Sequence, residues 1–213
     1  MKESTSKEKV LKKVRNALIN KLENPFKDVD FTSNVFFQQK EGPEVEFATK
    51  LVENGGTFIY CENEKDVGNQ LSALISQEGW TNLYCIDKNI SGMLQNSKIH
   101  FSDSENDFKK INVGITPCDF LISRFGSIVV SSGLGSGRRI MVYPETHLVV
   151  AKASQVVAEL KDALIGIKMK YQDNFPSQIT TITGPSRTAD IEKTLVMGAH
   201  GPKNLYVFMI DDM

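Results

Sequence analysis

The sequence predicts an α/β protein built on a mostly parallel sheet flanked by helices. Three observations lead there. From residue 45 onward, strand-length apolar runs alternate with stripes at helical spacing. The runs at Thr57–Cys61, 83–86, 146–151 and 205–210 are short and largely apolar, as in strands buried on both faces. The 213 residues, 40% hydrophobic and 24% charged, are enough for one sizeable core.

The elements follow in order. Residues 2–27 carry eight Lys/Arg against three Asp/Glu, and Val10, Leu11, Val14, Leu18 and Leu22 recur at three- and four-residue steps. This is the pattern of a basic amphipathic helix, capped by Ser6 or Thr5 and stopped by Asn24-Pro25. Its stripe suits packing on its own domain or on a sister subunit of a homo-oligomer. A membrane surface or a partner groove is the other reading. Residues 25–43 read as an irregular connection anchored by Phe26, Phe31, Phe36 and Phe37 and ending at Gly42-Pro43. The expected division is therefore an N-terminal extension, 1–44, and an α/β domain, 45–213.

Within that domain Phe47, Leu51 and Val52 mark a short helix closed by Asn54-Gly55-Gly56. Val67, Leu71, Leu74 and Ile75 mark a second, ended by Gly79. Residues 87–94 predict a helical turn and 99–101 a further strand. Residues 121–125 and 127–131, parted by Gly126, predict a hairpin. Val157, Leu160, Leu164, Ile167 and Tyr171 predict a long helix ending before Phe175-Pro176. The apolar run 179–182 then leads into Thr183-Gly184-Pro185-Ser186-Arg187-Thr188-Ala189-Asp190-Ile191-Glu192, read as a strand, a turn and the opening of a helix through Leu195 and Val196.

That turn is the first chemical candidate. Helix N-termini present unpaired N–H groups and partial positive charge, so Gly184, Ser186, Arg187 and Thr188 are expected to bind an anion there. Ser186 and Thr188 are equally suited to capping the helix, and Asp190 and Glu192 to its first turn through the dipole. Arg187 is either the ligand donor or the partner of those carboxylates. His200, in Gly198-Ala199-His200-Gly201-Pro202, is a candidate acid–base group if it shares a sheet edge with Arg187. Its place before the final strand leaves that open.

The second candidate is Ser131-Ser132-Gly133-Leu134-Gly135-Ser136-Gly137-Arg138-Arg139. Glycines allow close approach to a ligand, successive N–H groups form anion-binding nests, and arginine supplies forked donors. Ser132, Gly133, Gly135, Gly137, Arg138 and Arg139 are thus candidate ligand residues, or else a hairpin tip with solvated arginines. The spacing matches neither a dinucleotide fingerprint nor a phosphate-binding P-loop. Glu145 and His147 would face the same way in a strand, as an acid–base or metal pair or as a structural one.

Composition narrows the partners. A net charge of −1 argues against a nucleic-acid mode built on overall basicity, and no apolar run approaches the roughly 20 residues of a spanning helix. No signal-peptide core follows the basic N-terminus, so the cytoplasm is the expected compartment. Cys61, Cys85 and Cys118 are widely spaced, form no CxxC pair and read as buried thiols rather than metal or cluster ligands. No cofactor is legible.

Read together, residues 126–133, 144–150, 182–192 and 198–202 resemble the lactate-utilisation protein C family, also called LUD-domain proteins. The likeness covers roughly residues 45–211. It implies a fold similar to the CoA-transferase and ribose-phosphate-isomerase group, and a part in oxidising L-lactate to pyruvate beside two iron–sulfur partner proteins. The chain differs from the family pattern at Arg124 and Phe125, where an acidic and a small hydroxyl residue are usual. The expected function is a cytoplasmic component of an L-lactate oxidation system that binds a small anionic metabolite, acting as an accessory subunit. The alternatives are a free-standing enzyme acting on a sugar phosphate, a folate or a CoA ester, and an interaction module docking through the basic helix.

Overall fold

The computed structural model of the chain describes residues 5–19, 26–30, 33, 41–191 and 194–213. Its contacts divide it into two units, Met1–Gln38 and Gln39–Met213. In the first, helix α1 spans Ser6–Ile19. Its N-terminus is a reciprocal cap: the Thr5 hydroxyl accepts from the Glu8 amide at 3.3 Å, and the Glu8 carboxylate accepts from the Thr5 amide at 2.8 Å. None of its residues is buried. Leu22, Asn24, Pro25, Phe31, Phe36 and Phe37 lie outside the described residues.

The second unit opens with α2 (Pro43–Glu53), which starts on a proline whose missing N–H costs nothing there. Strand β1 (Thr57–Cys61) and helix α3 (Glu64–Glu78) follow, α3 capped by Asn63 and closed by Gly79 in the left-handed conformation. Then come β2 (Leu83–Tyr84), α4 (Lys88–Asn96), β3 (Val113–Pro117), β4 (Phe120–Ile122) and β5 (Ser127–Ser131). After them lie β6 (Thr146–Lys152), β7 (Val156–Val157), α5 (Leu160–Tyr171) and β8 (Ile179–Ile182). The chain finishes with β9 (Arg187–Ile191), β10 (Thr194–Met197) and β11 (Asn204–Ile210).

The main sheet has the order β1-β11-β6-β3-β2 and is parallel throughout. The last strand therefore sits inside the sheet, between β1 and β6. Alternation along it makes the layers visible. Tyr206, Phe208 and Ile210 face one core with Val67 and Leu71 of α3 and Leu94 of α4. Leu205, Val207 and Met209 face another with Phe47 and Leu51 of α2. That second side is not covered by helices alone. A four-stranded sheet, β7-β4-β5-β8, packs there through Leu121, Ile128 and Val130. It turns Ile122 and Val129 outward onto Ala163 and Ile167 of α5. The expected hairpin is the antiparallel pair β4–β5, turning at Gly126 (φ 59°). Residues 99–101 form no strand of their own; among the described residues there is only a bridge between Tyr84 and Ser102.

A second expectation, at the Gly184 turn, is overturned as well. The residues after Gly184 do not open a helix: β9 and β10 form an antiparallel two-stranded ribbon, with Thr188 opposite Val196 and Arg187 opposite Met197. The β-branched Thr188, Ile191, Thr194 and Val196 favour strands. The Ser186 carbonyl, which a helix cap would direct along its own chain, instead accepts from the Gly198 amide at 2.9 Å. With no helix there, the capping roles of Ser186 and Thr188 and the dipole roles of Asp190 and Glu192 do not apply. Glu192 and the Asp190 side chain lie outside the described residues.

Candidate functional site

At the amino-terminal edge of the main sheet, the two C-terminal signature segments meet. Gly184 has φ 78°, and a Cβ there would overlap the Asn54 carbonyl oxygen, so only glycine lets the turn sit against the Asn54-Gly55 corner that precedes β1. The Arg187 guanidinium donates to that same Asn54 oxygen. The Asn54 amide group donates to the carbonyls of Lys50 at 2.9 Å and Phe125 at 2.8 Å, which ties the corner to the β4–β5 turn. Ser186 completes the junction. Its amide donates to the Pro202 carbonyl at 2.8 Å, and its hydroxyl accepts from the His200 amide at 3.4 Å.

His200 and Arg187 therefore share an edge, which answers the question the sequence left open. The edge is the amino-terminal one, rather than the carboxyl edge where parallel sheets usually hold ligands. His200 is exposed and helps line a cleft of about 400 Å³ with Tyr143, Pro144, Glu145 and Lys203. The Lys203 ammonium pairs with Glu145 at 2.9 Å, both side chains about half exposed, so water screens the pair strongly. The cleft thus offers an imidazole, an ammonium and a carboxylate to a polar ligand.

Glu145 and His147 do not form a pair. Glu145 is exposed beside Lys203, whereas His147 is fully buried with its Nε2 2.8 Å from the Thr116 hydroxyl. Burial alone pushes the His147 pKa down to about 4, so the imidazole stays neutral at physiological pH. Burial also pushes the Cys61 thiol up to about 12, Cys85 up to about 11 and Cys118 above the usual thiol range. All three are buried free thiols.

The glycine–arginine loop begins elsewhere. Strands β5 and β8 are antiparallel, with Ser131 opposite Ile179 and Ile128 opposite Ile182. Ser132 at one end of this ladder exchanges hydrogen bonds with Gln178, its amide giving 2.9 Å and its hydroxyl receiving 3.2 Å. Ser127 at the other end meets Thr183 at 2.8 Å, next to Gly184. Five residue steps along the chain lead from Ser127 to Ser132, about 16 Å at the usual rise. The start of the loop and the Gly184 turn are thus at opposite ends of one ladder. Farther along, Arg139 pairs with Glu105 and stacks 4.3 Å from the Phe108 ring centroid, while Arg138 donates to the Ser177 hydroxyl.

Near Ser132 the structure assembles side chains that sequence reasoning missed. Asp119 lies two residues beyond the carboxyl end of β3, with its side chain fully buried. One of its oxygens accepts from the Lys170 ammonium and from the Tyr171 hydroxyl, each at 2.7 Å. Desolvation lowers the Lys170 pKa, but the hydrogen bond and charge of Asp119 outweigh it and leave the group above its ordinary value. The signal was present: Asp119 is the lone charged residue between 113 and 123. At Arg124 the departure from the family pattern is compensated locally, since its guanidinium pairs with Glu159 at 3.0 Å.

The LUD domain family model matches residues 45–210. Lactate utilization protein C of Macrococcus caseolyticus (strain JCSC5402) is 37% identical over 106 residues, 49% of this chain and 46% of that protein. Lactate utilization protein C of Geobacillus sp. (strain WCH70) is 36% identical over 126 residues, 55% of this chain and 52% of that protein. Lactate utilization protein C 1 of Bacillus mycoides (strain KBAB4) is 30% identical over 176 residues, 79% and 74% of the two chains. The chain spans about half the length of the first two relatives. A crystal structure of a DUF162 family protein from Deinococcus radiodurans shares the fold, with TM-score 0.56 at 14% identity over 79% of this chain and 96% of that one. The chain belongs to the LUD domain family.

Proposed function

We propose that this chain is a cytoplasmic component of an L-lactate utilisation system, and that it holds a small anionic metabolite in the cleft beside His200. The observation that carries the reading is the junction at Ser186, which joins the two family signature segments at one cleft containing His200 and Lys203. The names of the relatives supply the pathway. In this reading Lys203 provides positive charge and His200 a hydrogen bond or a proton, while Arg187, donating to the Asn54 carbonyl, holds the turn that carries Ser186. The role is that of an accessory subunit beside iron–sulfur partner proteins. Supporting this, the three cysteines are buried thiols far apart in the sequence.

The test is growth on L-lactate as sole carbon source. A strain lacking the gene should fail to grow and be rescued by the wild-type chain, but not by a folded His200→Ala/Lys203→Ala variant. Unimpaired growth of the deletion strain would falsify the reading. Turnover of a sugar phosphate, folate or CoA ester by the isolated protein would instead favour a free-standing enzyme.

A further inference from the structure

We propose that the glycine-rich loop from Gly133 to Arg138 is a second binding site, for an oxyanion (a phosphate or carboxylate) of a small metabolite. Lys170 is its second cation, and Asp119 positions Lys170. The site lies at the opposite end of the β5–β8 ladder from the His200 cleft, and it stands on separate observations.

The first is charge. The two adjacent arginines differ: Arg139 is neutralised by Glu105, whereas Arg138 pairs with no carboxylate among the described residues and instead donates to Ser177. A continuous set of contacts runs from there to Lys170. Ser177 meets Ser132 at 3.2 Å, and Gly133 lies against the Tyr171 ring so closely that a Cβ would overlap it. Tyr171 and Lys170 share one oxygen of Asp119. Two cations against one buried carboxylate leave a positive balance flanked by hydroxyl groups, which selects an anion.

The second is the loop's unused hydrogen-bonding capacity. Ser136 is only 4% exposed, and its hydroxyl has no partner among the described residues. Burying such a group unpaired is costly. Among the described residues, none of the backbone hydrogen bonds outside the helices and strands is donated by Gly135, Ser136, Gly137 or Arg138. Gly137, at φ 74°, supplies the left-handed residue that lets successive N–H groups turn toward one point. Tyr171 accounts for Gly133, and its positive φ accounts for Gly137. Gly135 has neither reason, since a Cβ there meets nothing within 4 Å. What remains for it is to let a ligand approach the backbone.

Asp119 acts through Lys170. Its carboxylate is buried and its second oxygen has no partner among the described residues, so its role is to hold the ammonium and the Tyr171 hydroxyl in place.

The experiment is calorimetric titration of the full chain with inorganic pyrophosphate and, separately, acetate, at low ionic strength. One probe is expected to bind, and which one does so identifies the oxyanion. Arg138→Ala, at an exposed side chain, should weaken binding at least tenfold with the melting temperature unchanged, whereas Lys170→Ala should weaken it as much and also melt lower, because it leaves the buried Asp119 carboxylate without its cation. Gly135→Val should fold normally and bind at least tenfold more weakly. Asp119→Asn should weaken binding in the wild-type background and add nothing in the Lys170→Ala background, whereas a purely structural role would weaken both. The titrations are repeated in the His200→Ala/Lys203→Ala background, so that any binding at the other cleft is removed and only the loop is read. The proposal is overturned if neither probe binds in that background, or if adding Arg138→Ala or Lys170→Ala to it leaves binding unchanged.

Discussion

Single residues decide how closely the segments of this protein approach each other. At Gly184 two constraints coincide, a positive φ and a backbone oxygen where a Cβ would stand. Replacing it with alanine should cost about 2–4 kcal/mol in urea denaturation, since neither constraint can relax without moving Asn54. Gly135→Ala is the contrast and should change stability by no more than about 0.5 kcal/mol, because it meets nothing. His147 gives a pH signature. Its folded-state pKa is depressed to about 4, below the ordinary 6.5. As pH falls through that window the unfolded chain binds a proton that the native state refuses. The His147 contribution to stability should therefore be lost from about pH 6.5 down to about pH 4, by about 3 kcal/mol, and be constant above that window. His147→Gln should remove this part of the slope in unfolding measured across pH.

At the scale of elements, the helices were legible because their signals are local. Periodicity, an Asn63 cap and a left-handed Gly79 define α3 without reference to anything distant. The ribbon β9–β10 was misread for the converse reason. Thr188 to Val196 satisfies a helical stripe and a strand propensity equally well, and the choice rests on Ser186 bonding across to Gly198, His200 and Pro202. Such bonds join residues 12 to 16 positions apart, which no local pattern encodes. The same limit hid Asp119, whose partners Lys170 and Tyr171 lie 51 and 52 residues away.

For the whole molecule, the α/β domain should stand without the N-terminal extension. α2 begins at Pro43 with Gly42 before it, so a chain starting at Gln39 keeps the first turn intact. We expect it to melt within about 3 °C of the full-length protein, which corresponds to less than about 1 kcal/mol at this size. A chain starting at Val45 loses that turn and should melt lower. If the Gln39 chain fails to fold, the division of the domain is wrong.

By itself the sequence determined the α/β class, the parallel strands, most helices, the buried cysteines and the LUD family, because these follow from hydrophobic period, short-range caps and ordered motifs. It also singled out His200, Arg187 and the glycine–arginine loop as chemically capable. Only the tertiary structure decided their grouping. Pairing β11 into the middle of the sheet brought His200 to the edge that holds Arg187. The antiparallel register of β5 and β8 then carried Ser132 to the far end, beside Asp119. A side chain's chemistry is written in its identity, whereas its neighbours are set by strand order and register, which depend on contacts between distant parts of the chain.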